Sequence, residues 1–383
     1  MDLRFRLDDR PPWPENLLFG LQWLAIALPG ILIIGRVMGL LQLPDVQGQL
    51  LFVQKTCLVV ALTMAVQVLW GHRLPLVAGP AAVLLVGAVA SQGVPLAAIY
   101  TAILLGGLLL ALISLLGIFQ PLQRLFTPRI VAAVLLLIAF TLTPAILRLL
   151  LPPNHAAPLP NLLFATLLLL AMFSAYRRWR GLWRSTLIVW GLLAGTAAHL
   201  LLFGLPALTA ATPPWTGHPF RQLLLEPVFE PGALFAFLFC FLALAVNDLG
   251  SIQSIGEMLK AGEMPGRVRR GISLTGLGNA LSGFFGVLGP VNFSLSPGVV
   301  AATGCASRFT LLPAAALLFL LAFSPAAVAL LGQLPDLVIG SVLLYILSLQ
   351  VAAGLQVAFA DRPYQLRDGM VLALPLLLGT IIA

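Results

Sequence analysis

Apolar runs of about 18 residues or more recur from one end of this chain to the other, each long enough to cross a bilayer as a helix. Lipid offers the backbone no hydrogen-bond partner, so only α-helices and closed β-barrels span it. Barrel strands alternate apolar and polar residues over about ten positions, and these runs do not. Composition points the same way. Of 383 residues, 60% are hydrophobic and 9% are charged, against roughly 25% charged in soluble domains. So few charges could not cover a water-soluble fold. The chain reads as an all-α polytopic membrane protein.

About thirteen segments are predicted: Leu17–Leu41, Gln49–Trp70, Leu74–Ala90, Ala97–Ile118, Ile130–Leu151, Leu162–Tyr176, Ser185–Gly204, Gly232–Gly250 with a helical continuation, Gly271–Gly286, Asn292–Ala302, Leu311–Leu331, Leu337–Ala358 and Gly369–Ala383. Met1–Glu15 is short and mixed in charge, and is not expected to be a cleaved signal. The net charge of +8 does not point to nucleic acid, because the basic residues sit in short loops. With the N-terminus in the cytoplasm, Arg4, Arg6, Arg10, Arg73, Arg124, Arg129, Arg177, Arg178, Arg180, Arg184, Lys260, Arg267, Arg269, Arg270, Arg308, Arg362 and Arg367 fall on that side. Only Arg36, Lys55, Arg148 and Arg221 fall on the other, as the positive-inside rule requires. Cys57, Cys240 and Cys305 lie in or beside apolar runs and read as small buried hydrophobes.

Two segments are irregular. The third contains Arg73-Leu-Pro-Leu-Val-Ala-Gly-Pro80 and the tenth Pro290-Val-Asn-Phe-Ser-Leu-Ser-Pro-Gly298. Pro and Gly are common in membrane helices, but these two interruptions occupy matching places in two oppositely oriented halves. Paired broken segments of that kind point to the substrate site of a transporter. Val77–Ala81 and Asn292–Ser296 are therefore expected to be extended and side by side. No His, Cys or carboxylate cluster has metal-ligand spacing, and neither a Gly-x-Ser-x-Gly elbow nor a P-loop occurs. An enzyme, a metal and a cofactor are not expected. Transport would draw on an ion gradient or run downhill.

Several stretches resemble the nucleobase–cation symporter-2 family, also called nucleobase–ascorbate transporters or uracil/xanthine permeases. They are Gly20-Leu21-Gln22, Arg73–Gly79, Thr127-Pro-Arg-Ile-Val131, Gly278-Asn279 with Ser282–Gly286, and the most specific, Gly298-Val-Val-Ala-Ala-Thr-Gly-Cys-Ala-Ser-Arg308. The resemblance implies a 7+7 inverted-repeat transporter fold with core and gate domains and short extended strands in segments 3 and 10. On that pattern, residues 1–16 are a cytoplasmic N-terminus. Residues 17–118 and 232–334 form the core (segments 1–4 and 8–11). Residues 119–231, with an outer loop, and 335–383 form the gate (segments 5–7 and 12–13). The family's last segment would be absent from this chain. The resemblance also implies a cell-membrane location and pairing as a homodimer through the gate.

Family members place a substrate-gripping carboxylate three residues before a Gly in segment 8. Here that Gly is Gly250 and the matching residue is Asn247, with Asp248 next and Ser251 beyond. In segment 10 the family's Glu or Gln and Asn before Gly become Leu295 and Ser296 before Gly298. Phe293 keeps an aromatic, and Ser294 lies between. Segment 3 contributes Ala78 and Gly79, then Pro80 where an aromatic is usual. Segment 1 contributes Gln22, with Trp23 in place of the family's His. A nucleobase edge alternates donors and acceptors, which carboxylates and carboxamides hold in register. Asn247 can do so without charge, and Leu295 cannot.

Asp248 is the acid deepest in an apolar run, and a buried acid faces a cavity or a partner. It suits ion coupling, or a structural tie to Asn279, Lys55 or a backbone amide. Gln22 is either a site residue or a structural hydrogen bond, and Asn279 packs segment 9. His199 is read as interfacial, and the Arg177–Arg184 cluster as a lipid-headgroup contact. The expected partners are a nucleobase or related planar or anionic solute, a proton or sodium ion, and the bilayer. Two alternatives remain: an anion transporter or channel on the same fold, as in sulfate-permease relatives, and a non-transporting paralogue. The anion reading rests on two half-helix N-termini whose positive field Leu295 and Asn247 would not offset.

Overall fold

The computed structural model describes the whole chain except residues 1–2, 44, 118–131, 134–135, 138, 141–142, 152–157, 181–182, 184–186, 205–212, 295, 360–365 and 383. The expectations placed on Thr127–Val131, on Leu295 and on much of the fifth segment lie outside the described residues. The rest is almost wholly helical: α1 (Trp13–Gln42), α2 (Val46–Leu69), β1 (Ala78–Pro80), α3 (Ala82–Ala90), α4 (Leu96–Leu115), α5 (Thr143–Leu150), α6 (Pro158–Arg178), α7 (Leu187–Phe203), α8 (Pro231–Leu259), α9 (Met264–Phe285), β2 (Pro290–Asn292), α10 (Ser296–Thr303), α11 (Leu311–Ala322), α12 (Pro325–Leu331), α13 (Asp336–Ala358) and α14 (Leu366–Ile382). Five of the described helices, α1, α2, α4, α6 and α8, are each long and apolar enough to cross a membrane unaided.

Local chemistry sets the helix starts. Asp45 accepts from the Gly48 amide at 2.6 Å and caps α2. Glu230 accepts from the Ala233 amide to cap α8, whose first residue is Pro231. Proline there sacrifices an amide that has no intrahelical partner.

The chain divides into two compact units. The first comprises Met1–Phe119, Arg180–Thr186 and Ala210–Gln333; the second comprises Gln120–Trp179, Leu187–Thr209 and Leu334–Ala383. In the first unit, α4 and α9 pack backbone to backbone. A Cβ on Gly283 would sit 2.4 Å from the Leu104 amide nitrogen, and one on Gly276 would sit 2.5 Å from that of Ala111. Small residues allow this approach where lipid provides no hydrophobic drive between helices. Gly278 lies against the Thr63 side chain of α2. In the second unit, α13 presents Gly340 to Leu149 and Leu150 of α5, and Tyr345 packs on Phe173 of α6 with ring centroids 5.2 Å apart.

Two expectations need correction. The predicted single segment Leu311–Leu331 is two helices bent by 105°. Ser324 caps the second through the Ala327 amide, and Pro325 occupies its first turn, so the helix restarts there. The second extended stretch is Pro290–Asn292 rather than Asn292–Ser296, because the Ser296 hydroxyl turns back to the Phe293 carbonyl at 2.8 Å and α10 begins at Ser296.

The N-terminal residues lie along the stretch that follows α10. Arg4 donates its amide to the Gly304 carbonyl, Ala306 to Phe5 and Arg308 to Leu7, at 2.8–3.1 Å. Arg308 also pairs with Asp8 at 2.7 Å and donates to the Val68 carbonyl at the end of α2. The Gly298–Arg308 run thus ends in a residue that ties the N-terminus to α2.

The close α4–α9 contact predicts that Gly283→Ala lowers stability by about 1–3 kcal/mol through overpacking. Gly250, which has nothing within 4 Å of an added Cβ, should tolerate alanine. Thermal unfolding of the two purified variants in detergent checks both outcomes.

Candidate functional site

β1 and β2 pair antiparallel in the register Ala78↔Asn292, Gly79↔Val291 and Pro80↔Pro290, with every residue buried. The pairing continues by one bond on each side, Ala81 amide to Gly289 carbonyl and Phe293 amide to Val77 carbonyl, both 2.9 Å. The prolines lie opposite one another, where neither need donate. α3 follows β1 and α10 follows β2, so the half-helices leave in opposite directions and both N-termini end at the strand pair. Each N-terminus carries partial positive charge.

Five buried residues close a ring of hydrogen bonds beneath β2, one link of which runs through the His72 backbone amide. Asp248 Oδ1 accepts from the Asn292 amide (3.1 Å) and from Asn292 Nδ2 (2.7 Å), and Asp248 Oδ2 accepts from the Thr275 hydroxyl (2.7 Å). Thr275 accepts from Gln67 Nε2 (2.9 Å), and Gln67 Oε1 accepts from the His72 amide (3.4 Å). His72 Nε2 meets Asn292 Oδ1 at 3.3 Å and completes the circuit. The Leu74 amide donates to His72 Nδ1 at 3.0 Å. An amide can only donate, so Nδ1 carries no proton, and the imidazole is neutral with its proton on Nε2. Asp248 therefore has three donors and, among the described residues, no paired cation. Charge-assisted bonds of this kind stabilise a carboxylate without a counter-ion.

The residues singled out from sequence take distinct places. Ser251 is buried, and its one hydroxyl proton is shared between the carbonyls of Asn247 (2.9 Å) and Asn292 (3.0 Å). Ser296 is buried at the start of α10, where its hydroxyl accepts from the Val77 amide at 3.2 Å. Ala78 and Gly79 are buried in β1. The Phe293 ring covers Gly79 so closely that a Cβ there would stand 2.3 Å from it, and the same ring reaches Gly30 of α1. Ser294 is exposed in the turn before α10. Asn247 is half-buried on α8, and among the described residues no hydrogen bond engages its side chain. Gln22 of α1 carries a buried Nε2 with no acceptor. The tie expected for Asp248 runs to a backbone amide, that of Asn292, and not to Asn279 or Lys55. Asn279 instead donates to the Thr275 and Pro290 carbonyls, both at 2.8 Å, and Lys55 donates to the Gln222 carbonyl. Trp23 donates to the Thr310 hydroxyl at 3.0 Å.

Gln67, His72, Thr275 and Asn292 were missed as members of the site. The available signal was their polarity inside or beside apolar runs, where each must find a partner. Among the described residues no group of three or more His, Cys, Asp or Glu could hold a metal.

The profile of the Permease family, Xan_ur_permease, matches residues 14–383. The uric acid permease PucK of Bacillus subtilis is 25% identical over 70% of this chain and 62% of its own length. The xanthine permease XanP of Escherichia coli is 23% identical over 99% of this chain and 86% of its own. Among solved structures, the transmembrane domain of a cyanobacterium bicarbonate transporter, BicA, superposes with a TM-score of 0.68 at 19% identity, covering 96% of each chain. That likeness carries the fold, which is of the 7+7 transporter class.

The ring predicts that Thr275→Val, which removes the hydroxyl between Gln67 and Asp248 while keeping the volume, costs about 1–3 kcal/mol of stability by leaving buried partners unsatisfied. Thr275→Ser should retain most of it. Thermal unfolding reads both.

Proposed function

The chain belongs to the Permease family, and from that premise we propose that this multi-pass membrane transporter carries a nucleobase of the xanthine, uracil or urate kind, coupled to a proton or sodium ion. As a permease it is not an enzyme. The observation that carries the substrate reading is the pair of carboxamides with unfilled hydrogen-bonding capacity in the first unit. Asn247 and Gln22 offer the mixed donors and acceptors that a nucleobase edge needs. Phe293 and Ser294 precede α10, whose N-terminus offers partial positive charge to a carbonyl of the base, and the family pattern assigns Leu295 to the same site. Ala78, Gly79, Ser251 and Ser296 support this surface, since their burial and bonding commit them to the strand pair. The printed names of the relatives, a uric acid permease and a xanthine permease, support the same substrate class. In this reading residues 17–118 and 232–334 are the core and residues 119–231 and 335–383 the gate. The N-terminus is cytoplasmic, in the cell membrane, and two copies pair through their gates.

Asp248 is the coupling residue in this proposal. Its two oxygens take all of their bonds as acceptors. A proton added to Oδ2 would face the Thr275 hydroxyl, which already accepts from Gln67 and donates to Asp248. Protonation therefore conflicts with the ring and loosens the hold on Asn292 and β2. Occupancy by a proton would thereby be linked to the position of the strand at the substrate site.

Asp248→Asn should abolish gradient-driven accumulation in proteoliposomes while sparing exchange, because the amide keeps the shape but cycles no proton. Wild-type accumulation by that variant would remove the coupling role. Asn247→Ala should weaken substrate binding by about 1–3 kcal/mol, read by calorimetry with xanthine, urate and uracil. Uptake of none of the three, with flux of bicarbonate or sulfate instead, would favour the anion transporter.

A further inference from the structure

A second polar feature of the first unit lies apart from the strand pair. Lys55 of α2 is 3% exposed, yet among the described residues its ammonium makes one hydrogen bond, to the Gln222 carbonyl at 2.9 Å. Gln222 holds a left-handed backbone, φ 49°, a conformation rare outside glycine. That conformation sits at the residue whose carbonyl meets Lys55. An ammonium has three donors and no acceptor, so among the described residues two of its N–H bonds have no acceptor. A cavity of about 230 Å³ opens beside it, lined also by Phe52, Leu96, Ala97, Tyr100 and Leu224.

Among the residues that line this cavity, the polar side chains are those of Lys55, Tyr100 and Gln222. Tyr100 is 8% exposed, and among the described residues its hydroxyl has no hydrogen-bond partner. Leu96 and Ala97 open α4, whose N-cap position is Pro95 with no side-chain cap. Their amides find no carbonyl among the described residues, and a 20-residue helix directs partial positive charge to that end. No carboxylate lines the cavity. A buried ammonium without a counter-charge is strongly unfavourable unless a partner is supplied.

We propose that this cavity binds a small monovalent anion of halide or short-carboxylate size, held by the Lys55 ammonium, the Tyr100 hydroxyl and the first-turn amides of α4. The apolar walls of Phe52, Leu96 and Leu224 favour a small, singly charged anion. The site is separate from the one assigned to the transported substrate and does not rest on that assignment. Its occupant completes the charge balance at the junction of α2, α4 and the loop before α8. Ligand bound to the native state alone raises stability by mass action.

The test is thermal unfolding of delipidated protein in detergent, with sodium chloride or sodium acetate exchanged for sodium gluconate at constant ionic strength. The wild type should show a saturable rise in melting temperature with either probe anion. Lys55→Met should lose that rise, Lys55→Arg should retain it, and Tyr100→Phe should weaken the apparent affinity by roughly two- to tenfold. A wild type indifferent to chloride and acetate overturns the proposal, as does an equal response in Lys55→Met. A response seen only after phosphatidylglycerol is restored also overturns it and assigns the cation to a lipid phosphate. Should Lys55→Met not fold, Tyr100→Phe decides, and undiminished affinity in that variant overturns the proposal.

Discussion

The bond pair between Asp248 and Asn292 is the interaction on which the first unit turns. One carboxylate oxygen holds both the amide and the side chain of Asn292, at 3.1 and 2.7 Å. It thereby anchors a three-residue strand that is otherwise held by its ladder and by Ser251 and Asn279. Isolated two-stranded pairs are marginal even with longer strands. Here the pair ends in two facing prolines, which remove donors, and it survives because side chains from α2, α8 and α9 satisfy what the ladder cannot. In a medium without water, each such group left alone would cost several kcal/mol. The ring is therefore closed, with each member both held and holding.

From that anchor the rest of the site follows. Fixing Asn292 fixes the register against Ala78, and the register places Phe293 over Gly79. Only glycine accepts the ring at that distance. Ser296 then joins the start of α10 back to Val77 of the opposite stretch. The two half-helices are thus linked through side chains as well as through the ladder. A carboxylate at the centre of such an arrangement is well placed to convert a change of protonation into a displacement of the strand. That is the physical content of the coupling role proposed for Asp248.

Much of this was legible from sequence, for identifiable reasons. Long apolar runs and the sidedness of arginines set the class of fold. Pro80 and Pro290, each beside a glycine, marked the two breaks because proline cannot continue a helix ladder. Asp248 stood out because an acid in an apolar run needs an explanation. Its partners did not stand out. Thr275, Gln67 and His72 are 27, 181 and 176 positions from it in the chain, respectively, and only the fold brings them together. The end of the second strand was misread by a few residues, because whether Phe293–Ser296 extends or turns depends on a local hydroxyl-to-carbonyl bond. The bend at Ser324–Pro325 was passed over because the run Leu311–Leu331 is apolar but for Ser324, and periodicity does not report a serine cap.

The central claim, that Asp248 and Asn292 act as one unit in holding the strand pair, is tested most directly by a double-mutant cycle on unfolding free energy with Asp248→Ala, Asn292→Ala and the combination. Residues that share buried bonds couple by about 0.5–3 kcal/mol. The predicted result is marked non-additivity, with the double variant little less stable than the worse single one. Effects of the two substitutions that simply add would contradict the account and leave β2 held by other means.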